Sequence, residues 1–181
     1  MIKNSIILLL FVCVTHIQAQ KYITKSGLTD FKGSVEAFEP VEAVNESTTV
    51  LLNSENGTIA ALLFIHAFRF DIALMQEHFH ENYMDSDTFP KATFKGRLLD
   101  FDSTSLTEKV QTFKLKGVLN IRGIDKTIET NAKVKRLGDV LVLKGAFTVL
   151  PQDFGIDIPK IVRKKIAEQI HIKLHYELVK K

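Results

Sequence analysis

The sequence predicts an all-β protein, in which an antiparallel sheet of about eight strands closes into a barrel or folds into a sandwich. Three observations predict this class. Apolar residues recur at every second position through most of the chain, which is the period of a strand with one buried face. Glycine-containing turns separate these runs. Only two segments have helical spacing, which is too little helix to cover such a sheet.

The alternation is clearest near the C-terminus, where five residues share one face: Ile170, Ile172, Leu174, Tyr176 and Leu178. Applied along the chain, the same pattern predicts strands at roughly 21–25, 28–36, 47–53, 58–70, 92–101, 108–121, 126–136, 140–150 and 168–179. Because the two middle hairpins can be counted in different ways, the pattern gives eight or nine strands.

Turn residues lie between these runs. Asn56-Gly57 is the strongest hairpin signal, since both residues tolerate positive φ. The turns at 122–125 and Gly138-Asp139 follow at regular spacing. Gly117 and Gly145 fall inside predicted strands, where a missing side chain permits the bulge or tight bend that a closing barrel needs.

One or two short helices are predicted. Residues 71–83 have helical spacing, with Asp71 as the expected N-cap. Residues 159–169 begin with Pro159 in the first helical turn and carry lysines toward the end, which favours a second helix.

Residues 1–19 have the pattern of a secretory signal peptide, with Lys3 before an apolar run and Ala19 at the expected cleavage point. Cys13 does not indicate a lipoprotein, because the bulky Phe11 and Val12 precede it. We therefore expect a periplasmic or secreted protein with a single mature domain, residues 20–181.

The composition of that domain limits the classes of function that it can have. Removing 19 of 181 residues leaves 162, enough for one domain with a substantial core. The mature chain would contain no cysteine, which excludes disulfides, thiol nucleophiles and thiolate metal ligands. It keeps 23 basic and 21 acidic residues, a balance that gives no support to nucleic-acid binding.

Residues 73–96, ALMQEHFHENYMDSDTFPKATFKG, resemble the signature region of the YceI-like family in its short exported form. The similarity extends through the preceding AALLFIHAFRF, the later GVLNIRGIDKTIE and LKGAFTVLPQDFGIDIPK. It implies a lipocalin-like antiparallel barrel with an elongated apolar interior that binds polyisoprenoid chains. Longer members carry R-D-x-H-L at the helix, where this chain has Gln76-Glu77-His78-Phe79-His80.

We therefore expect a binding protein and no enzyme or cofactor. Its partner would be an isoprenoid or other long-chain lipid, held for transport, storage or stress protection. The residues expected to line the ligand site are Phe31, Phe64, Phe68, Phe79, Phe94, Phe113, Phe147, Ile172 and Leu174. The alternative is that these side chains fill a packed core, in a barrel that serves only as an interaction or stress protein. The predicted helix at 71–83 would plug or cover one mouth of the barrel.

A metal-assisted enzyme is a second alternative, using His66, His78 and His80. His78 and His80 lie two residues apart, roughly 200° around a helix, so they do not converge there. The nearby acids lie in a polar turn that precedes Pro90, which favours a solvated turn over paired catalytic carboxylates.

Lys160, Arg163, Lys164 and Lys165 form a basic cluster. Such a cluster is either a solvated face or a site of transient contact with a membrane surface. The sequence leaves the oligomeric state open.

Overall fold

The computed structural model describes residues 20–35 and 39–181. Within them, eight antiparallel strands form a closed barrel in which each strand pairs with its sequence neighbours and β8 pairs with β1. The strands are β1 Lys21–Ser34, β2 Glu42–Asn53, β3 Thr58–Phe64, β4 Lys91–Leu98, β5 Gln111–Ile121, β6 Ile124–Leu137, β7 Val140–Val149 and β8 Ile166–Lys180. The predicted all-β class and antiparallel barrel are confirmed. The predicted leader, including Cys13, lies outside the described residues.

This topology gives the barrel two different ends. The β1–β2, β3–β4, β5–β6 and β7–β8 connections all lie at one end, which we call the mouth. The other end, the closed end, carries the remaining connections, the start of β1 and the end of β8. The two hairpins with two-residue loops have the backbone that the sequence predicts, since Arg122, Gly123 and Gly138 all have positive φ.

Several predicted strand boundaries are corrected. The predicted runs 21–25 and 28–36 are one strand, β1, whose pairing with β2 shifts register around Gly27. β3 ends at Phe64 instead of 70, because a 3-10 turn at Ile65–Ala67 interrupts the extended chain.

The first predicted helix is present but shorter. α1 covers Ala73–His78 and continues as one π-helical turn, Phe79–Tyr83. Its N-cap is Ile72, which provides no side-chain hydrogen bond, so the prediction of Asp71 as the cap was wrong. Within residues 20–35 and 39–181, none of the helices could span a bilayer.

The second predicted helix is absent. Residues 160–165 form turns that begin with hydrogen bonds from the Val162 and Arg163 N–H groups to the Pro159 carbonyl, at 3.0 and 3.1 Å. β8 then begins at Ile166, which pairs with Ser34 of β1. The backbone N–H and C=O groups of β8 form hydrogen bonds within the sheet, so they are not available to extend a helix.

The closed end is filled by side chains. The β4–β5 connection folds Phe101 and Leu106 into the barrel, where Phe101 packs edge-on against Phe113 with ring centroids 5.2 Å apart. Fully buried aliphatic residues from five strands surround them: Val50, Leu52, Leu98, Val134, Leu141, Leu143 and Leu178. This half of the barrel is therefore a packed core.

Candidate functional site

The mouth half of the barrel holds an apolar cavity of about 330 Å³. Strands contribute residues such as Ala61, Leu119, Ile128, Ile170 and Ile172, and the helical segment contributes Met75, Phe79, Tyr83 and Met84. Most of the lining side chains are apolar. The helical segment thus forms part of the wall near the mouth, where the sequence predicted a helix that plugs or covers the barrel.

One part of the cavity floor rests on two facing glycines. Gly96 and Gly117 pair across β4 and β5, and the Phe94 ring lies against both. A Cβ atom on Gly117 would lie 2.5 Å from the Phe94 Cζ atom and 2.5 Å from the Gly96 Cα atom. The absence of side chains at both positions is therefore what lets the ring lie against these two strands.

A second aromatic side chain completes the floor on the opposite wall. The Tyr176 ring covers Gly27 at the β1 irregularity, where an added Cβ would lie 2.7 Å from the ring. The Tyr176 hydroxyl is 3.0 Å from Thr29 Oγ1, which is 2.9 Å from Thr48 Oγ1. Burial raises the pKa of Tyr176 to about 12, although the hydrogen bond with Thr29 opposes this shift. The phenol is consequently neutral at physiological pH.

Four phenylalanines gather at the mouth and join β1 to the helical segment. Phe31 stacks on Phe79 with ring centroids 5.2 Å apart, and Phe68 and Phe70 pack against both rings at 5.1 to 5.8 Å. Aromatic pairs of this kind each contribute about 0.5–1.5 kcal/mol beyond their buried area. Together with a hydrogen bond from the Phe70 N–H to Gln76 Oε1, at 3.2 Å, they hold the helical segment over the mouth.

The structure brings together seven of the nine predicted lining residues on the cavity wall: Phe31, Phe68, Phe79, Phe94, Phe147, Ile172 and Leu174. Phe64 lies elsewhere, 48% exposed, with the Lys91 ammonium 5.3 Å from its ring centroid. Because β3 ends at this residue, the alternation that predicted Phe64 to share a face with Phe68 does not continue past it. Phe113 faces inward but lies in the closed-end core, since alternation predicts the face of a strand and not the depth along the barrel.

Sequence reasoning missed several other lining residues. Phe70 could have been found from its alternation with Phe68, and Phe154 belongs to a 3-10 turn after β7 that fills the mouth beside Ile156. The hydroxyl chain of Thr29, Thr48 and Tyr176 gave no local signal, because its members lie on three strands.

A separate polar cleft lies on the outer side of the helical segment, around His66, His80 and Ser86. Ser86 Oγ and Asp87 Oδ1 contact the same ring atom, His66 Nε2, at 3.1 and 3.2 Å. A catalytic relay requires the carboxylate and the hydroxyl on opposite ring nitrogens. Ser86 also donates its proton to the His80 carbonyl. The cleft therefore lacks the geometry of a serine nucleophile.

The three histidines of the metal alternative do not converge. His78 faces the main cavity, whereas His66 and His80 line the outer cleft with ring centroids 4.8 Å apart. Across residues 20–35 and 39–181, no group of three or more His, Cys, Asp or Glu side chains could hold a metal ion.

The burial of His80 and its contact with His66 make acid pH unfavourable for the folded protein. Burial, followed by the nearby His66 charge, lowers the pKa of His80 below its usual value of 6.5. Below that value the unfolded chain binds more protons than the folded protein, so stability falls as the pH falls. We expect the Tm to drop between pH 7 and pH 5, and to drop less in His80→Gln. His171→Gln, on the exposed outer face of β8, is the control. Its Tm should change with pH as that of the wild type does. Equal slopes in all three proteins would contradict the expectation.

A known protein family and several solved structures are similar to this chain. The family model for the YceI-like domain matches residues 13–178. Similar solved structures include a polyisoprenoid-binding domain from Saccharophagus degradans, with a TM-score of 0.75, 11% identity, and coverage of 90% of this chain and 99% of that one. BcnA from Burkholderia cenocepacia has a TM-score of 0.68 and 15% identity, with 84% of this chain and 96% of that one covered. The YCEI protein of Campylobacter jejuni has a TM-score of 0.64 and 12% identity, with 80% and 86% covered. No curated protein sequence matches significantly.

The structural neighbours are too distant in sequence to carry more than the fold, which is the same closed antiparallel barrel. The family match covers nearly the whole of the described barrel. The chain therefore belongs to the YceI-like family.

Proposed function

We propose that this protein is a lipid-binding protein that holds a long apolar chain, such as a polyisoprenoid, inside its barrel. The observation that carries the proposal is the open, almost wholly apolar cavity above a packed core. Its volume lies within the range of about 300–1,000 Å³ that is typical of small-molecule sites. The polyisoprenoid-binding neighbour from S. degradans supports the same ligand class. Such a bound state serves transport, storage or protection under stress.

A binding role is favoured over catalysis because the cavity offers an apolar chain many contacts and almost no reactive groups. Besides tyrosines, the ionisable side chains on the described wall are His78 and Lys165, both toward the mouth. The carboxylates that could act in acid–base chemistry, Glu77, Glu81, Asp85 and Asp87, lie in the outer cleft instead.

A titration tests the proposal directly. N-phenyl-1-naphthylamine, a dye that fluoresces in apolar surroundings, should bind with saturation at one molecule per protein. Geranylgeraniol, a C20 isoprenoid alcohol, should displace it. Absence of dye binding, or of displacement by any long-chain compound, would contradict the proposal.

We further propose that the protein collects its ligand from an anionic membrane surface. Ile161 is 88% exposed, and the exposed Lys160, Arg163 and Lys164 surround it in the turn between β7 and β8. The adjacent Val162 and Lys165 line the cavity. An apolar side chain within a basic cluster matches an anionic bilayer, because each cation near such a surface contributes about 1 kcal/mol.

Removing two of these charges should therefore weaken membrane binding. Lys160→Ser/Lys164→Ser is expected to bind phosphatidylglycerol vesicles about 30-fold less tightly, which corresponds to about 2 kcal/mol. The control, Lys114→Ser/Lys133→Ser, removes two exposed lysines from the strands β5 and β6. Co-sedimentation with the vesicles measures the binding of both double variants. If both double variants bind like wild type at low salt, the turn is not the docking surface.

The sequence of residues 1–19 supports export with cleavage before Gln20, one residue ahead of β1. The intact mass of the protein recovered from the periplasm or medium of an exporting bacterial host tests this. We expect the mass of residues 20–181, and a full-length mass in the cytoplasm would contradict it.

A further inference from the structure

The hydroxyl chain at the cavity floor has no role in the proposal above, although it is buried. Thr29, Thr48 and Tyr176 are 5%, 1% and 3% exposed, and all three line the cavity. They come from β1, β2 and β8, and they meet where the Tyr176 ring rests on Gly27. They introduce oxygen atoms at the inner end of a cavity that is otherwise apolar.

The three hydroxyls have one hydrogen more than their mutual hydrogen bonds use. Three hydroxyls carry three hydrogens, and the two bonds that join them use two. Among the described residues, no other group forms a hydrogen bond with these hydroxyls. One O–H group is therefore left to donate, and a buried donor without an acceptor is unfavourable.

A ligand that supplied the acceptor would have to be neutral at that point. The described basic side chains of the wall, His78 and Lys165, lie toward the mouth, so nothing at the floor balances a phosphate or carboxylate. Burial of an unpaired charge is strongly unfavourable, whereas a carbonyl or hydroxyl oxygen needs only one hydrogen bond.

We propose that the cavity selects a ligand whose innermost end carries a neutral oxygen, a hydroxyl or carbonyl that accepts a hydrogen bond from the Tyr176 phenol, because a phenol is a stronger donor than the hydroxyls of Thr29 and Thr48. The ligand lies with this oxygen at the floor and its hydrocarbon toward the mouth. This inference rests on the proposed lipid-binding function and adds the polarity and orientation of the ligand.

The test compares hexadecan-1-ol with hexadecane as competitors of the dye, in wild type and in Tyr176→Phe. The ratio of their two affinities is compared between proteins, so that their different solubilities cancel. We expect the preference for the alcohol to be about fivefold greater in wild type than in Tyr176→Phe, the factor for one neutral hydrogen bond.

Tyr22→Phe is the matched control. Tyr22 is equally buried, but its hydroxyl accepts a hydrogen bond from Arg136 at the closed end, outside the cavity. This variant should keep the wild-type ratio. An unchanged ratio in Tyr176→Phe would overturn the inference while leaving lipid binding intact. Failure of both competitors in wild type would overturn lipid binding itself, and the inference with it.

Infrared spectroscopy gives a second readout that does not require a stable variant. The carbonyl stretch of bound hexadecan-2-one, labelled with ¹³C to separate it from the amide bands, should lie at the lower frequency of a hydrogen-bonded carbonyl in wild type. A frequency typical of a free carbonyl would contradict the proposal.

Discussion

Gly117→Ala should lower the free energy of unfolding by at least about 3 kcal/mol, the upper range for overpacking a well-packed core. The added Cβ would meet the Gly96 Cα atom and the Phe94 ring at 2.5 Å, as well as the Lys95 carbonyl oxygen. Real Cβ atoms do not approach other atoms so closely. Since two of these atoms belong to the backbone of the paired strand β4, the β4–β5 ladder itself would have to shift.

Gly145→Ala is the matched control, because Gly145 is also a glycine within a strand. Its Cβ would meet Leu174 at 3.6 Å and the Asn131 carbonyl at 3.8 Å, which is ordinary contact. Its stability should stay near wild type or rise by about 0.5 kcal/mol, because glycine weakens a strand interior. Urea denaturation measures both variants. Equal stability of the two would show that the Phe94 ring does not depend on the Gly96–Gly117 pair.

Ala61→Phe should abolish high-affinity binding of a long chain while the protein stays folded. Ala61 lines the cavity and pairs with Phe94 of β4, so a phenyl group there would occupy space above the floor. Displacing only two methylene groups of a ligand into water is unfavourable by about 1.6 kcal/mol, which is more than tenfold in affinity. Because the new ring enters existing space, we expect stability to change by less than about 2 kcal/mol.

Ala60→Phe provides the control, since Ala60 is the neighbouring residue on the exposed face of the same strand. Its affinity for geranylgeraniol should equal that of wild type in the dye-displacement titration. Wild-type affinity in Ala61→Phe would mean that geranylgeraniol binds outside the cavity.

The parts of the fold that local chemistry determines were predictable from the sequence. Strand alternation and the turns at Gly57, Gly123 and Gly138 predicted the antiparallel strands, because these features depend on adjacent residues. The boundaries failed where pairing with a distant strand decided the outcome. Residues 166–169 have helix-forming neighbours, yet β8 begins at Ile166, where it pairs with Ser34.

The site was predictable in kind but not in detail. Alternation identified inward-facing residues such as Phe94 and Ile172, and the family resemblance implied an apolar interior. Alternation could not tell that Phe113 lies in the packed half, since depth depends on the stagger of eight strands. Nor could it reveal that Tyr176 meets Thr29, which is 147 positions away.

In the native protein, we expect the cavity to contain an apolar ligand. Native mass spectrometry of protein purified from the periplasm of a bacterial host, followed by solvent extraction of the bound material, detects such a ligand. We predict a single long-chain adduct in wild type, one that Ala60→Phe retains and Ala61→Phe loses. If wild-type protein carries no adduct and takes up no added isoprenoid, the proposed lipid binding is contradicted.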